Sequence, residues 1–151
     1  MTENLMIESF SLAKFLPYRL AMLAREVGQA FAKTYEKDFG INNHQWRVIH
    51  SLANNPGASS SVILREATLD KVQMSRALVG LIESDYVQKT RDRSDRRTHV
   101  LHLTLKGMTL YEKIVPLALA FENELKSELT TEEAAFLDCI ISKLHNNVPE
   151  I

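Results

Sequence analysis

Four arginines and two aspartates crowd into one stretch, Arg91-Asp92-Arg93-Ser94-Asp95-Arg96-Arg97. A guanidinium is planar, always charged and forked, which suits phosphate and the narrow minor groove of a duplex. The interleaved aspartates can pair with neighbouring arginines and stiffen a loop. Arg93 or Arg96 is the expected groove probe, and Arg97 is better placed to pair with an aspartate. A second group lies upstream. Lys71, Gln73, Ser75 and Arg76, with Val79, fall on or near one side of an expected helix. Glutamine can bond adenine N6/N7 and arginine can bond guanine O6/N7, each with two prongs. Ser59, Ser60 and Lys71 fall at expected helix N-termini, where hydroxyls, backbone N–H groups and positive charge suit phosphate. A charge run alone is commonly a solvated hairpin, so the elements that would hold these residues decide their meaning.

Those elements are legible from periodicity. Residues 11–37 carry Leu12, Leu16, Leu20, Leu23, Val27, Phe31 and Tyr35 at helical spacing, with Pro17 confined to the first turn or a kink and Gly40 suited to close the segment. Asn42 or Asn43 can cap a second helix to about Ala53, before the stop Asn54-Asn55-Pro56-Gly57. Ser59, Ser60 and Ser61 offer caps for a short third helix. Asp70 and Gln73 resemble a capping box for a fourth helix, whose buried face is Met74, Ala77, Leu78, Leu81 and Ile82. The period then changes. Tyr86–Thr90 and His99–Leu103 read as strands flanking the arginine run, with Leu101, Leu103 and Leu105 on one face. Thr104 can cap a fifth helix that crosses Pro116, and Thr130 or Thr131 starts a last helix to about Asn146. Two short helices, a tight turn and a charged hairpin, in that order, make a winged helix-turn-helix. In such a unit the second helix enters the major groove.

Composition narrows the class. The chain has 151 residues, 45% hydrophobic and 25% charged, as in an ordinary globular protein. Net charge is −1, but residues 59–107 hold nine Lys/Arg against six Asp/Glu, whereas residues 108–151 hold three against eight. A basic middle beside an acidic end is a local footprint for a polyanion. No apolar run reaches the roughly 18 residues needed to span a bilayer, and the N-terminus lacks a basic leader, so a cytoplasmic location is expected. The lone Cys139 excludes an internal disulfide and is expected as a buried small hydrophobe. The five histidines lack metal-ligand spacing, and no Gly-rich phosphate loop or nucleophile elbow appears. An enzyme is therefore not expected, nor any cofactor. Two alternatives remain: a winged helix serving protein contact, and a redox-sensing regulator of the same fold acting through Cys139.

The stretch from Ile41 to Gly107 resembles the MarR family of bacterial transcriptional regulators. The matching pieces are Gln45-Trp46-Arg47-Val48-Ile49, Leu69-Asp70-Lys71, Leu81 to Val87, Asp92 to Arg97, and Leu103-Thr104-Leu105-Lys106-Gly107. The third helix, Ser61 to Ala67, departs from the family's usual Leu-Ala-x-x-Leu pattern. The resemblance implies a mainly α fold with a small β-hairpin wing. A winged helix-turn-helix lobe spans 41–107, between N- and C-terminal dimerisation helices at 1–40 and 108–151. It also implies double-stranded palindromic DNA as partner, and repression relieved by a small ligand.

The apolar stripes support a partner copy independently. Leu5, Met6, Ile7, Phe10, Leu12, Leu137, Ile141 and Leu144 exceed what a lobe of this size could cover, and a two-fold homodimer is the economical solution. It would space two recognition helices about one DNA turn apart, roughly 34–36 Å. The family's effector pocket lies between the dimerisation helices and the DNA-binding lobe. The resemblance places Arg19, Met22, His44, Trp46 and Arg47 there, with Tyr18, Phe31 and His50 as further candidates. A cation beside an aromatic wall suits an aromatic carboxylate. Leu16-Pro17-Tyr18-Arg19-Leu20 is similar to members tied to aromatic-acid catabolism, including hydroxycinnamate regulators. Trp46 is equally readable as core, His44 as a helix cap, and Arg47 as the partner of an acid.

Overall fold

The computed structural model describes residues 10–91 and 99–149 and divides the chain into two compact units, before and after the junction of Ile114 and Val115. In the first unit a 3-10 turn, Leu12–Lys14, precedes α1 (Leu16–Lys33), with Pro17 in the first helical turn. There its missing N–H costs nothing. The single helix expected over 11–37 is broken. Thr34 Oγ1 donates to the Phe31 carbonyl at 2.7 Å and the ladder tightens to i−3 bonds at Thr34 and Tyr35. The break turns Tyr35 fully into the core, at 0% exposure. A short α2 (Glu36–Phe39) follows and closes on Gly40, whose φ of 68° is the left-handed cap glycine accepts without strain.

Helix α3 (Asn43–Asn54) opens with a capping box between Asn42 and Gln45. Its Trp46, Val48, Ile49 and Leu52 are buried, and they meet Ile63 of α4 (Ser60–Glu66) and Met74, Ala77 and Leu81 of α5 (Lys71–Glu83) in the core. Between α3 and α4 lies a strand that periodicity could not show. β1 (Ala58–Ser59) joins β2 (Val87–Arg91) and β3 (His99–Leu103) in an antiparallel sheet of order β1-β3-β2. Val87 pairs with Leu103, and Lys89 with the fully buried Leu101.

The expected placements of Ile82 and Leu105 both fail. Ile82 is 41% accessible, because the buried stripe of α5 ends at Leu81. Leu105 does not continue the strand face. It is the first residue of α6 (Leu105–Leu125) and is 86% accessible. Helix α6 carries Pro116 in its interior, and its Gly107, Leu110 and Ile114 are buried.

In the second unit, α7 (Thr131–Asn146) starts from a capping box between Thr130 and Glu133. Within this chain none of its residues is buried, and Phe136, Leu137, Ile140 and Ile141 lie exposed along it. Cys139 is exposed as well, contrary to the buried placement expected from its apolar neighbours. Among the described residues those neighbours are themselves exposed, so they do not bury the thiol. Among the described residues, no helix is long and apolar enough to cross a membrane.

Candidate nucleic-acid interface

The link from α4 to α5 is a tight turn. Thr68 takes a positive φ of 52°, and Leu69 is buried with its N–H bonded to the Leu64 carbonyl at 3.2 Å. The box then fixes the start of α5. Asp70 Oδ1 accepts from the Gln73 N–H at 2.8 Å, and Gln73 Oε1 accepts from the Asp70 N–H at 3.1 Å. Further along, Gly80 packs against α3 so closely that a Cβ there would meet Gln45 Nε2 at 2.6 Å. With Met74, Ala77 and Leu81 turned inward, the opposite face of α5 presents Val72, Ser75, Arg76 and Val79 to solvent.

Three of the sequence-derived contact residues lie close together. Ser60, Lys71 and Ser75 line one groove of about 360 Å³ between α4 and α5, with Ser61, Leu64, Met74 and Leu78. Ser59 is the N-cap residue of α4, but its side chain does not cap; its hydroxyl lies 2.9 Å from that of Ser61. Arg76 and Lys71 are exposed and form no ion pair among the described residues. Gln73 has a second duty that its type alone did not reveal. Its oxygen already accepts one bond from the cap, so a two-pronged adenine contact must use the oxygen's second lone pair with the amide held towards Asp70.

Arg91 is exposed at the end of β2, opposite His99. Arg93, Arg96 and Arg97 fall in residues 92–98, which lie outside the described residues. The base of the wing is fixed by a lock that the residue types alone did not disclose. Thr104 Oγ1 donates to the Asp85 carbonyl at 2.6 Å and accepts from the Gly107 N–H at 3.0 Å. Lys106 Nζ donates to the Ser84 carbonyl at 2.7 Å and sits 4.6 Å over the Tyr86 ring. A Cβ on Gly107 would approach the Tyr86 carbonyl oxygen to 2.1 Å, so only glycine permits this approach. The two short motifs, Ser84-Asp85-Tyr86 and Thr104-Leu105-Lys106-Gly107, are therefore halves of one joint between the end of α5 and the start of α6.

Two grooves among the described residues divide the residues expected around an effector. Arg19 and Met22 line a groove of about 440 Å³ on α1, with Tyr18, Leu16, Leu23 and Glu26. His44 lines a different one of about 420 Å³, with Gln29, Lys33, Glu36 and Asn42. Trp46 is only 8% exposed and stacks on Tyr111 with ring centres 5.8 Å apart; Phe31, Tyr35 and His50 pack around it. It is core, as the alternative reading had it. Arg47 is half-buried and lines neither groove. Beside Trp46, burial pushes the Tyr35 phenol up to about 12, with the nearby Glu36 charge adding to the shift. Among the described residues, no cluster of His, Cys, Asp or Glu could hold a metal ion.

Residues 39–98, from the end of α2 through the wing, match the MarR family model. The chain is 28% identical to a MarR/EmrR family transcriptional regulator from Acinetobacter sp. ADP1, whose crystal structure superposes with a TM-score of 0.81 over 91% of this chain and 96% of that one. It is 25% identical over 120 residues to the HTH-type transcriptional regulator BilQ of Clostridium symbiosum, covering 80% of this chain and 83% of the relative. BpsR of Bordetella bronchiseptica, whose DNA binding is regulated by 6-hydroxynicotinic acid, shares the fold at 19% identity, with a TM-score of 0.70 over 84% of this chain and 98% of that one. The capped helix-turn-helix, the wing strands and these likenesses agree: residues 39–98 match the MarR family model, and the chain is similar to MarR-type transcriptional regulators over most of its length.

Proposed function

We propose that the protein is a homodimeric repressor that holds a palindromic operator and releases it when a small ligand binds. The observation that carries the DNA half is the groove joining Ser60, Lys71 and Ser75 beside the exposed Arg76 of a helix whose other face is locked into the core. Ser59, Ser60, Lys71, Arg91 and Arg97 serve the phosphate backbone or the stiffness of the wing. Gln73, Ser75 and Arg76 read base edges, and Arg93 or Arg96 probes the minor groove. A gel-shift series on the DNA upstream of the gene, from about 50 to 200 mM salt, tests this. Affinity falls steeply if several phosphates are neutralised. Binding that ignores salt and survives Arg93→Ala with Arg96→Ala would instead support a protein-contact winged helix.

The ligand half rests on the α1 groove, where Arg19, Tyr18 and Met22 combine a cation, an aromatic ring and a soft apolar side chain. That chemistry suits an aromatic carboxylate or its thioester. His44 and Arg47 would contribute only from the ligand-bound dimer, and Trp46 would act as the wall behind the site. A ligand can move the DNA-binding equilibrium only by its differential affinity for the two states of the dimer. A thermal-shift panel of benzoates, hydroxycinnamates and their thioesters tests the class, since binding to the native state raises apparent stability. A shift that survives Arg19→Ala would remove that residue from the site.

A further inference from the structure

The exposed face of α5 is not uniformly polar. Val72 and Val79 are 58% and 53% exposed and share the stripe of Ser75 and Arg76, opposite the buried Met74, Ala77 and Leu81. A β-branched residue on a solvent-facing helix position lowers helix stability relative to alanine. Neither valine belongs to the core. We infer that Val72 and Val79 read thymine methyl groups in the major groove, on either side of the base contacted by Arg76. The inference rests on α5 being the helix that enters the groove.

The chemistry selects the base. Thymine alone carries a C5-methyl on the major-groove edge, and apolar side chains recognise it by contact. Cytosine at the same place would turn its N4–H₂ donor towards a valine that offers no acceptor, and an unpaired donor is costly to desolvate. Spacing agrees with this arrangement. Val72 lies four residues before Arg76 and Val79 three after it, or about 6 Å and about 4.5 Å along the helix axis. Each offset corresponds to roughly one to two base-pair steps. Val72, second in the helix after its cap, is also at the end that meets base edges in this type of docking.

The full chain is used to enrich bound duplexes from a randomised 30-base-pair pool. Each thymine of the enriched half-site is then replaced in turn by deoxyuridine, which removes only the methyl. The expected result is one or two thymines per half-site where the replacement weakens binding about fourfold, as loss of one buried methyl should. That loss vanishes in Val72→Ala for one thymine and in Val79→Ala for another, while the guanine preference due to Arg76 stays. Both variants put a better helix former at an exposed site, so an unchanged melting temperature confirms that they fold. Deoxyuridine without effect at every position overturns the inference, and so does a loss that persists undiminished in both alanine variants or an enriched half-site without thymine. Failure to enrich any sequence removes the DNA role of α5 itself and takes this inference with it.

Discussion

The helix-turn-helix lobe and helix α7 use apolar residues in opposite ways. In the lobe, Ile49, Leu52, Ile63, Leu81 and Leu101 are sealed within one chain, and the joint of Thr104, Lys106 and Gly107 with residues 84–86 adds directional bonds. In α7, a capped and regular helix, Phe136 is 65% exposed and no residue is buried. The first region is complete in one copy. The second has a stripe that stays exposed among the described residues, and a two-fold partner, if the proposed dimer forms, would cover it.

The largest effect that tests this contrast is in the core. Leu81→Ala is expected to cost roughly 2–5 kcal/mol in urea unfolding, because the fully buried site cannot collapse around the missing atoms. Phe136→Ala should behave differently. If α7 is covered by a second copy, the wild-type thermal midpoint rises with protein concentration. Phe136→Ala flattens that rise, whereas Leu81→Ala lowers the midpoint and leaves its slope alone. A wild-type midpoint independent of concentration would sever α7 from self-association.

The next effects separate reading from folding on α5. Arg76→Ala should weaken binding to the operator by roughly 1–3 kcal/mol and relax specificity at one base pair, with stability unchanged. An equal loss on every sequence would reassign Arg76 to phosphate. Asp70→Ala acts from the other side. It removes the oxygen that accepts from Gln73 and is expected to cost about 1 kcal/mol of stability. The residue 70 backbone N–H still holds Gln73 Oε1 in that variant, so base preference should stay as in wild type while stability falls. A base preference that changes in Asp70→Ala would show that the Asp70 side chain itself positions the reading face of α5.

Local chemistry was legible in the sequence wherever both partners lie within one turn of helix. Asp70 with Gln73, and Thr130 with the acids that follow, could be read as caps because spacing alone determines whether such side chains meet. The order of helices and strands followed from changes of period. What escaped was whatever depends on distant backbone. The two-residue strand Ala58–Ser59 has no period and exists only because β3 lies beside it. The break at Thr34 is decided by where Tyr35 must point. Ile82 and Cys139 lie on apolar stripes and Leu105 continues the alternation of Leu101 and Leu103, yet burial depends on what packs opposite, which the chain alone does not state. The wing lock was present as two short motifs, but their meeting across residues 85–104 needed the fold.

The smallest effect concerns the start of α7 and the independence of that helix from the lobe. The Glu133 carboxylate accepts from the Thr130 N–H at 2.8 Å, and this bond, followed by that of the Thr130 side chain with Glu133, holds its carboxyl below the ordinary value of 4.5. A carboxyl lowered in the folded state stabilises the helix start above the unfolded value. The contribution fades as pH falls through 4.5 and is gone below the folded value, where both states are protonated. Acidification should therefore loosen the first turn of α7, seen as faster amide hydrogen exchange at Thr130, while the cap of α5 is followed separately at Asp70. Glu133→Gln keeps an acceptor but cannot titrate, so its Thr130 exchange should lose this pH dependence after correction for the intrinsic rate. If Thr130 and the buried lobe amides instead open together over the same pH range in both proteins, α7 does not respond as a separate element, and the contrast between the two regions fails at its most local point.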